Sequence, residues 1–153
     1  MVQLVLPNDA NTLGNVLGGR VLHWIDLAAA IVAHRHCRSE AVTASLDQMA
    51  FLAPIRVGQL ALIHGRLTRV WRSSMEIRVD VQCEDLLTGK RKPTSTAYLT
   101  FVAIDPEGRP AGVPALRLTT DEERREARAA DGRRRARLAG RGGYNSNREK
   151  MNG

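Results

Sequence analysis

One carboxylate lies inside a strongly apolar stretch of this chain. Between Val21 and Ala33, only His23 and Asp26 carry polar side chains. A helix that is apolar on nearly every side is normally buried, and burying an ionised carboxylate without partners costs on the order of several kcal/mol. The side chain of Asp26 is therefore predicted either to have hydrogen-bond partners or to face a cavity, and we expect the chemistry there.

Two glycines directly before this apolar run predict a second chemical group. Gly18 and Gly19 lie where the helix should begin, and the first N–H groups of a helix have no partner within it. Together with the positive end of the helix dipole, these donors form a ready site for a negatively charged oxygen. An acidic side chain and an oxyanion site are thus predicted on one helix.

The separation of these two groups favours a site shared by two chains. Gly18 and Asp26 are eight residues apart, which is about 12 Å along a helix and too far for both to contact one carbonyl group. Pairing two copies of the helix antiparallel about a two-fold axis would bring Gly18 of one chain close to Asp26 of the other. We hypothesise a dimer with two equivalent sites.

His23 leaves two interpretations open. It precedes Asp26 by three residues and so shares its helix face. The two side chains could form an acid–base pair, but the apolar surroundings favour a histidine packed in the core. No two histidines have a convincing metal spacing, so no metal site is predicted.

The elements around this helix predict an α+β fold. The helical pattern runs from about residue 18 to about residue 36, a short strand precedes it, and consecutive antiparallel strands follow it. The predicted strands are 2–6, 42–47, 60–70, 75–81 and 96–104. We expect one long central helix wrapped by a curved antiparallel sheet.

The composition predicts one compact domain and a basic tail. The 153 residues are the size of one domain, and with 4% aromatic residues the core must consist of Leu, Val, Ile and Ala. Residues 1–118 carry 13 Lys/Arg and 10 Asp/Glu, whereas residues 119–153 carry 10 and 6. We predict a domain at 1–118, followed at 119–153 by an Arg-rich C-terminal helix and a flexible tail.

The cysteines and the N-terminus indicate a cytoplasmic protein. Cys37 and Cys83 have no CxxC spacing and are expected to be free thiols. Residues 1–7 lack the pattern of a signal peptide, and no apolar run approaches about 18 residues, so neither export nor a membrane span is expected. Ser45 lacks the Gly-x-Ser-x-Gly motif, which argues against a serine hydrolase.

Five motifs follow one another in an order that is typical of one family. They are Pro7–Gly19, Trp24–Asp26, Val42–Asp47, Pro54–Gly58 and Arg72–Met75. Together they resemble the hot-dog-fold acyl-CoA thioesterases, in particular the cytosolic acyl-CoA hydrolases that act on a range of fatty acyl-CoAs. Several motifs in order are far more specific than a single one, and the resemblance covers roughly residues 5–116.

The resemblance implies both a fold and an activity. The fold is a hot-dog fold, in which five to six antiparallel strands surround one long helix; the working unit is a homodimer, and the common assembly is a trimer of dimers. The reaction is hydrolysis of fatty acyl-CoA to free fatty acid and coenzyme A, with no cofactor because coenzyme A is part of the substrate. No membrane or nucleic-acid partner is expected.

The family's loop asparagine and helix aspartate match Asn15 and Asp26. Asp26 would act as a general base on water or as a nucleophile that forms a mixed anhydride, and we favour the general base. The amides of Gly18 and Gly19 would hold the oxyanion, while Asn15 would orient the water or bond the thioester carbonyl. We expect Asn15 and the glycines from one chain and Asp26 from its partner.

Coenzyme A carries phosphates, so basic residues are expected near the opening of the site. Arg72, Ser73 and Ser74, between two predicted strands, are the first candidates for coenzyme A contacts. Arg56 and the cluster at 90–92 are weaker candidates, because a basic hairpin tip is usually only solvated.

Two other functions stay open. A hot-dog acyl dehydratase normally needs a histidine in the loop after the helix, and residues 48–54 contain none. A non-catalytic protein could bind acyl-CoA, or bind nucleic acid through the arginines at 133–137. A solvated tail is the favoured interpretation of those arginines.

Overall fold

The computed structural model describes the backbone of residues 1–151 and the side chains of residues 1–141. The chain divides into two compact units, Met1–Leu116 and Arg117–Gly153. The first unit contains the sheet and the central helix, and the second contains the C-terminal helix. The domain boundary at 118 that the sequence predicts stays a prediction.

The first unit is a five-stranded antiparallel sheet with one long helix, as the sequence predicts. The helix α1 spans Gly18–Cys37. The strands are β1 Val2–Leu4, β2 Glu40–Phe51, β3 Leu60–Val70, β4 Ser74–Glu84 and β5 Arg91–Ile104. Their order across the sheet is β1-β3-β4-β5-β2, so that β2, which follows the helix, forms an edge.

The core lies between α1 and one face of the sheet. Alternate residues of β4 are buried, which is the period of two expected of a strand with one face on the core: Met75, Ile77, Val79, Val81 and Cys83. Buried residues of α1, including Ile25 and Ala29, belong to the same cluster. Gly65 of β3 lets the helix approach closely, since a Cβ there would lie 3.0 Å from Cγ2 of Val32.

Three strands, β2, β4 and β5, are longer than the sequence predicts. β2 and β5 pair along most of their lengths, from Glu40 opposite Ile104 to Phe51 opposite Ser95. This ladder provides hydrogen-bond partners for the backbone N–H and C=O groups of polar segments. The side chains of those segments do not show the alternation that predicts a strand. Pro93 lies in β5 beside a register shift between Val81 and Gln82 of β4, where an irregular ladder tolerates a residue without an N–H group.

The prediction that α1 is buried on nearly every side is wrong for the single chain. Leu22, Leu27 and Ile31 are 37%, 43% and 45% exposed. The reason is geometric: one sheet covers only one side of a helix. An apolar helix face therefore remains uncovered within the described residues.

The second unit contains the helix α2, Asp121–Met151. Its start has a capping box, in which Thr120 N–H donates to Glu123 Oε2 over 3.2 Å and Glu123 N–H donates to Thr120 Oγ1 over 3.1 Å. Backbone N–H groups of Thr119 and Thr120 hold the pKa of the Glu123 carboxyl below its usual value.

The arginines at 133–137, which the sequence places beyond the regular helix, are helical. Arginine and alanine are strong helix formers, and they dominate that segment. Residues 152–153 of the predicted flexible tail lie outside the described residues. Along the described part of the chain, neither helix is long and apolar enough to cross a membrane.

Candidate active site

Asp26 faces a cavity of about 430 Å³ between α1, β2 and β5. The lining residues come from these three elements: Gly19, Leu22, His23, Asp26, Thr43, Leu46 and Leu99. Most of the lining is apolar, and the polar side chains are those of His23, Asp26 and Thr43. The helix carboxylate and the start of the same helix therefore open into one space.

Asp26 has one hydrogen-bond partner among the described residues, and this is Thr43. The Thr43 hydroxyl donates to Asp26 Oδ1 over 2.7 Å. Thr43 lies on β2 opposite Phe101 of β5, so the sheet fixes the donor while the helix fixes the acceptor. Because the hydroxyl occupies Oδ1, Oδ2 stays available to a water molecule or a ligand.

His23 lines the same cavity, one helical turn before Asp26. Its side chain is exposed and makes no hydrogen bond or ion pair with the residues that the structure describes. The interpretation of His23 as a core histidine is therefore wrong. Leu22 and Leu27, its neighbours on α1, are exposed as well.

The start of α1 leaves two N–H groups without an acceptor in the described chain, those of Gly18 and Gly19. Leu17 O accepts the N–H groups of Arg20 and Val21, at 2.9 and 3.1 Å. Phe51 of β2 lies beside this end of the helix, since a Cβ at Gly18 would be 3.6 Å from its Cζ atom. Unpaired N–H groups at a helix start are the kind of donor that can bind a negatively charged oxygen.

The loop before the helix is held by Asn11. Its side-chain oxygen accepts the N–H groups of Leu13 and Asn15, at 3.0 and 3.2 Å, and its own N–H donates to Asn15 O over 2.8 Å. Gly14 turns the chain between them at φ +77°, a conformation that favours glycine. The Asn15 side-chain amide has no hydrogen bond with any described residue and stays available to a ligand.

The predicted coenzyme A contacts lie in two places. A backbone bridge pairs Asn15 with Arg56, so the structure brings these two predicted residues together. Arg72 and Ser73 lie between β3 and β4, and Ser74 begins β4. Ser74 O accepts the N–H of Trp71 over 2.8 Å, and none of the three residues lines the Asp26 cavity.

A larger cavity of about 750 Å³ lies elsewhere on the sheet, and of the predicted coenzyme A contacts only Arg91, from the weaker cluster at 90–92, lines it. Its polar lining includes His64, Arg78 and Asp80, and both oxygens of Asp80 accept from Arg78 Nε, at 3.0 and 2.9 Å. In the described residues, no three potential metal ligands lie together.

Thr43 is the polar contact that sequence reasoning missed. It lies far along the chain from Asp26 and on another element, so no helical or strand period connects the two. A threonine in a strand is ordinary, and its hydroxyl gains a role only once β2 lies beside α1. The only available signal was that the segment 42–47 belongs to the family motifs.

The chain is similar to known thioesterases in sequence. Residues 13–90 match the family model of the thioesterase superfamily. A Bacillus subtilis protein named as an uncharacterized acyl-CoA thioester hydrolase is 44% identical over 119 residues, which cover 78% of this chain and 69% of that protein. This chain spans only 23% to 36% of the mammalian acyl-CoA thioesterases that it also matches.

Solved structures are similar over nearly the whole chain. A hexameric acyl-CoA thioesterase has a TM-score of 0.87 at 41% identity, covering 91% of this chain and 89% of that one. An acyl-CoA hydrolase from Staphylococcus aureus, solved with butyryl coenzyme A and coenzyme A, has a TM-score of 0.90 at 33% identity, covering 100% and 93%.

Variants of the Staphylococcus aureus hydrolase have also been solved, with an aspartate, an asparagine or a threonine replaced by alanine. In that chain the asparagine comes first, the aspartate second and the threonine third. The spacings between them along the sequence are the same as those between Asn11, Asp26 and Thr43 here.

Proposed function

This chain belongs to the thioesterase superfamily, among the hot-dog-fold acyl-CoA thioester hydrolases, and on that premise we propose that it hydrolyses fatty acyl-CoA to free fatty acid and coenzyme A. The observation that carries the proposal is the hydrogen bond between Thr43 and Asp26 in a largely apolar cavity. The reaction uses no cofactor, because coenzyme A is part of the substrate.

Asp26 is the general base. Thr43 fixes the carboxylate by donating to Oδ1, and Oδ2 takes a proton from the attacking water. The hydroxide then adds to the thioester carbonyl, and the C–S bond breaks as the tetrahedral intermediate collapses. Proton transfer by a positioned carboxylate of this kind contributes roughly 10²- to 10⁴-fold to the rate.

The amides of Gly18 and Gly19 stabilise the oxyanion that develops on the carbonyl. Both are at the start of α1 and have no acceptor among the described residues, so they need not break a bond to bind the substrate. Preorganised donors of this kind act most strongly where the charge appears in the transition state. The free side-chain amide of Asn15 bonds the carbonyl or the water.

Each site is shared by two chains. The glycine end of α1 and Asp26 are about two turns apart on the same helix, so an antiparallel partner helix completes the constellation. The uncovered apolar face of α1 supports this arrangement, because Leu22, Leu27 and Ile31 are exposed and Leu22 lines the cavity. We propose a homodimer as the active unit and a trimer of such dimers as the assembly, in keeping with the hexameric relative.

The spacing of the replaced residues in the Staphylococcus aureus hydrolase supports two further members of the site. Thr43 corresponds by spacing to its threonine, and Asn11 corresponds to its asparagine. We assign Asn11 to holding the loop, because its side-chain oxygen is occupied by the amides of Leu13 and Asn15. Asn15 is assigned to the substrate.

Coenzyme A is anchored by basic and hydroxyl side chains outside the cavity. Arg56 lies beside Asn15, Arg72 and Ser73 lie in the turn between β3 and β4, and Ser74 begins β4. Guanidinium and hydroxyl groups suit the phosphates and the pantetheine chain.

The experiment that tests the function is a thiol-release assay across acyl-CoAs from acetyl to palmitoyl. We expect turnover of fatty acyl-CoA by the parent chain and a loss of roughly 10²- to 10⁴-fold in kcat for Asp26→Asn, since an amide has the shape of the carboxylate but does not accept the proton. Glu40→Gln, at a carboxylate with 81% side-chain exposure, is the matched control. No release from any acyl-CoA, or full activity of Asp26→Asn, contradicts the proposal.

A further inference from the structure

The Asp26 cavity contains a histidine whose side chain does not stabilise the described fold. His23 lines that cavity, and the described residues offer it no hydrogen bond, ion pair or covering side chain. A buried core role would leave it enclosed, but its side chain is exposed. Residues three apart on a helix have Cβ atoms about 5–6 Å apart, so His23 and Asp26 reach the same substrate.

The departing sulfur needs a proton donor in this cavity. The thiol of a free cysteine has an ordinary pKa of about 8.5, and the thiolate of coenzyme A, which is also an alkyl thiolate, is not stable on an apolar wall without a partner. Leu22, Leu46 and Leu99 form most of that wall. The Thr43 hydroxyl already donates to Asp26, and Asp26 must be ionised to accept a proton from water.

Resting on the proposed function, we infer that His23 is the general acid that protonates the sulfur of coenzyme A as the C–S bond breaks. Water gives one proton to Asp26, and its hydroxide forms the new C–O bond. The electron pair of the C–S bond goes to the sulfur, which takes the proton from the His23 imidazolium. The proton on Asp26 then returns to solvent, and solvent reprotonates His23, so both side chains regain their initial states.

Few charged groups surround His23 in the described chain. On α1 itself, Asp26 lies one turn later and Arg20 one turn earlier, and Arg20 Nε is 3.0 Å from Asp9 Oδ1. The other two elements of the cavity contribute side chains that do not titrate, namely Thr43, Leu46 and Leu99. Asp26 is thus the charged side chain that shares the cavity with His23.

The first test is the pH dependence of kcat/KM with a fatty acyl-CoA between pH 5 and 9. The parent chain needs Asp26 ionised and His23 protonated, so its rate falls on the alkaline side as the imidazolium loses its proton. In His23→Gln we expect a loss of about 10- to 100-fold at pH 6 and no alkaline fall through neutral pH. An unchanged alkaline limb in His23→Gln overturns the inference.

The second test changes the leaving group and so removes the need for an acid. An acyl thiophenol releases a much more acidic thiol, which departs as the thiolate without a proton. His23→Gln should therefore be as active as the parent chain on this substrate to within a few-fold, and impaired on acyl-CoA. Equal impairment on both substrates overturns the inference, because it indicates a structural effect.

His64→Gln is the control variant for both tests. His64 is an exposed histidine on β3 that does not line the Asp26 cavity, and the variant should keep the parent pH profile. Failure of the inference differs from failure of the proposed function. In the first case the parent chain releases thiol and His23→Gln keeps its profile, whereas in the second the parent chain releases no thiol from any acyl-CoA.

Discussion

Thr43 fixes the orientation of the Asp26 carboxylate in the cavity. The hydroxyl and the carboxylate are 2.7 Å apart and come from different elements, so the bond fixes the side chain of the base rather than the backbone. A hydrogen bond to a charged group is worth about 1.5–3 kcal/mol. Without it, the carboxylate would rotate freely and would hold the attacking water in a productive position less often.

We therefore expect Thr43→Val to lower kcat by roughly 10- to 100-fold, which is the rate equivalent of that bond. Valine has nearly the shape of threonine and suits a strand, so the free energy of unfolding should change little. Thr43→Ser keeps the hydroxyl and should retain most of the activity. Thiol release and denaturant unfolding of both variants measure the two effects, and equal activity of the valine and serine variants contradicts this role.

Among single residues, the sequence identifies as candidate site residues those whose type is unusual for their position in the chain. Asp26 is exceptional in an apolar run, and Gly18 and Gly19 are exceptional at a helix start, so all three could be singled out. Thr43 could not be, because a threonine in a strand is ordinary and its partner lies on a distant segment of the chain. The exposure of His23 depends on which side of α1 meets the sheet, and this side is not fixed by the local pattern.

The sheet and α1 position the site by packing closely at one glycine. A Cβ at Gly65 would lie 3.0 Å from Cγ2 of Val32 and 3.6 Å from Ala28 O. Neither neighbour is a flexible side-chain tip, since one is a β-branched methyl group and the other is backbone. The helix that carries Asp26 can approach β3 only because this position has no side chain.

Gly65→Val should therefore push α1 away from β3 and destabilise the fold by about 1–3 kcal/mol, the usual cost of overpacking. Gly65→Ala should cost less, since only the Cβ must be accommodated. The control is Gly112→Ala, where a Cβ would meet nothing within 4 Å. Chemical denaturation measures the differences, and a Gly65→Val protein as stable as the parent chain refutes the close-packing account.

Element boundaries were predictable where the pattern of side chains matched the burial. β3 spans Leu60–Val70, as the alternation in the sequence predicts, and α1 ends within one residue of its predicted end. β2 and β5 extend beyond their predicted ends because they pair with each other. Backbone pairing between distant segments cannot be recognised from the sequence of either segment alone.

A single chain does not bury the whole apolar surface of α1. The pattern of the helix predicts burial on nearly every side, yet the sheet of the same chain covers only one side. The sequence thus predicts a helix that is buried on nearly all sides. The dimer that we propose would bury the helix face that the single chain leaves exposed. The edge strand β2 borders the same region, with Val42 and Leu46 exposed at 47% and 41%.

A shared site makes a quantitative prediction for mixed dimers. Asn15→Ala and Asp26→Asn should each be nearly inactive alone, because every site of either homodimer lacks one group. In a mixed dimer, one site lacks both groups and the other is intact, so random mixing should restore about a quarter of the parent activity.

Mixing Asp26→Asn with Thr43→Val is the matched control. Asp26 and Thr43 are bonded within one chain, so each site of this mixed dimer keeps one defect. No recovery is expected beyond the activity of Thr43→Val itself. Thiol release after unfolding and refolding the mixtures, with native mass spectrometry to count mixed dimers, gives the readout. Mixed dimers of the first pair without recovered activity would place the whole site in one chain.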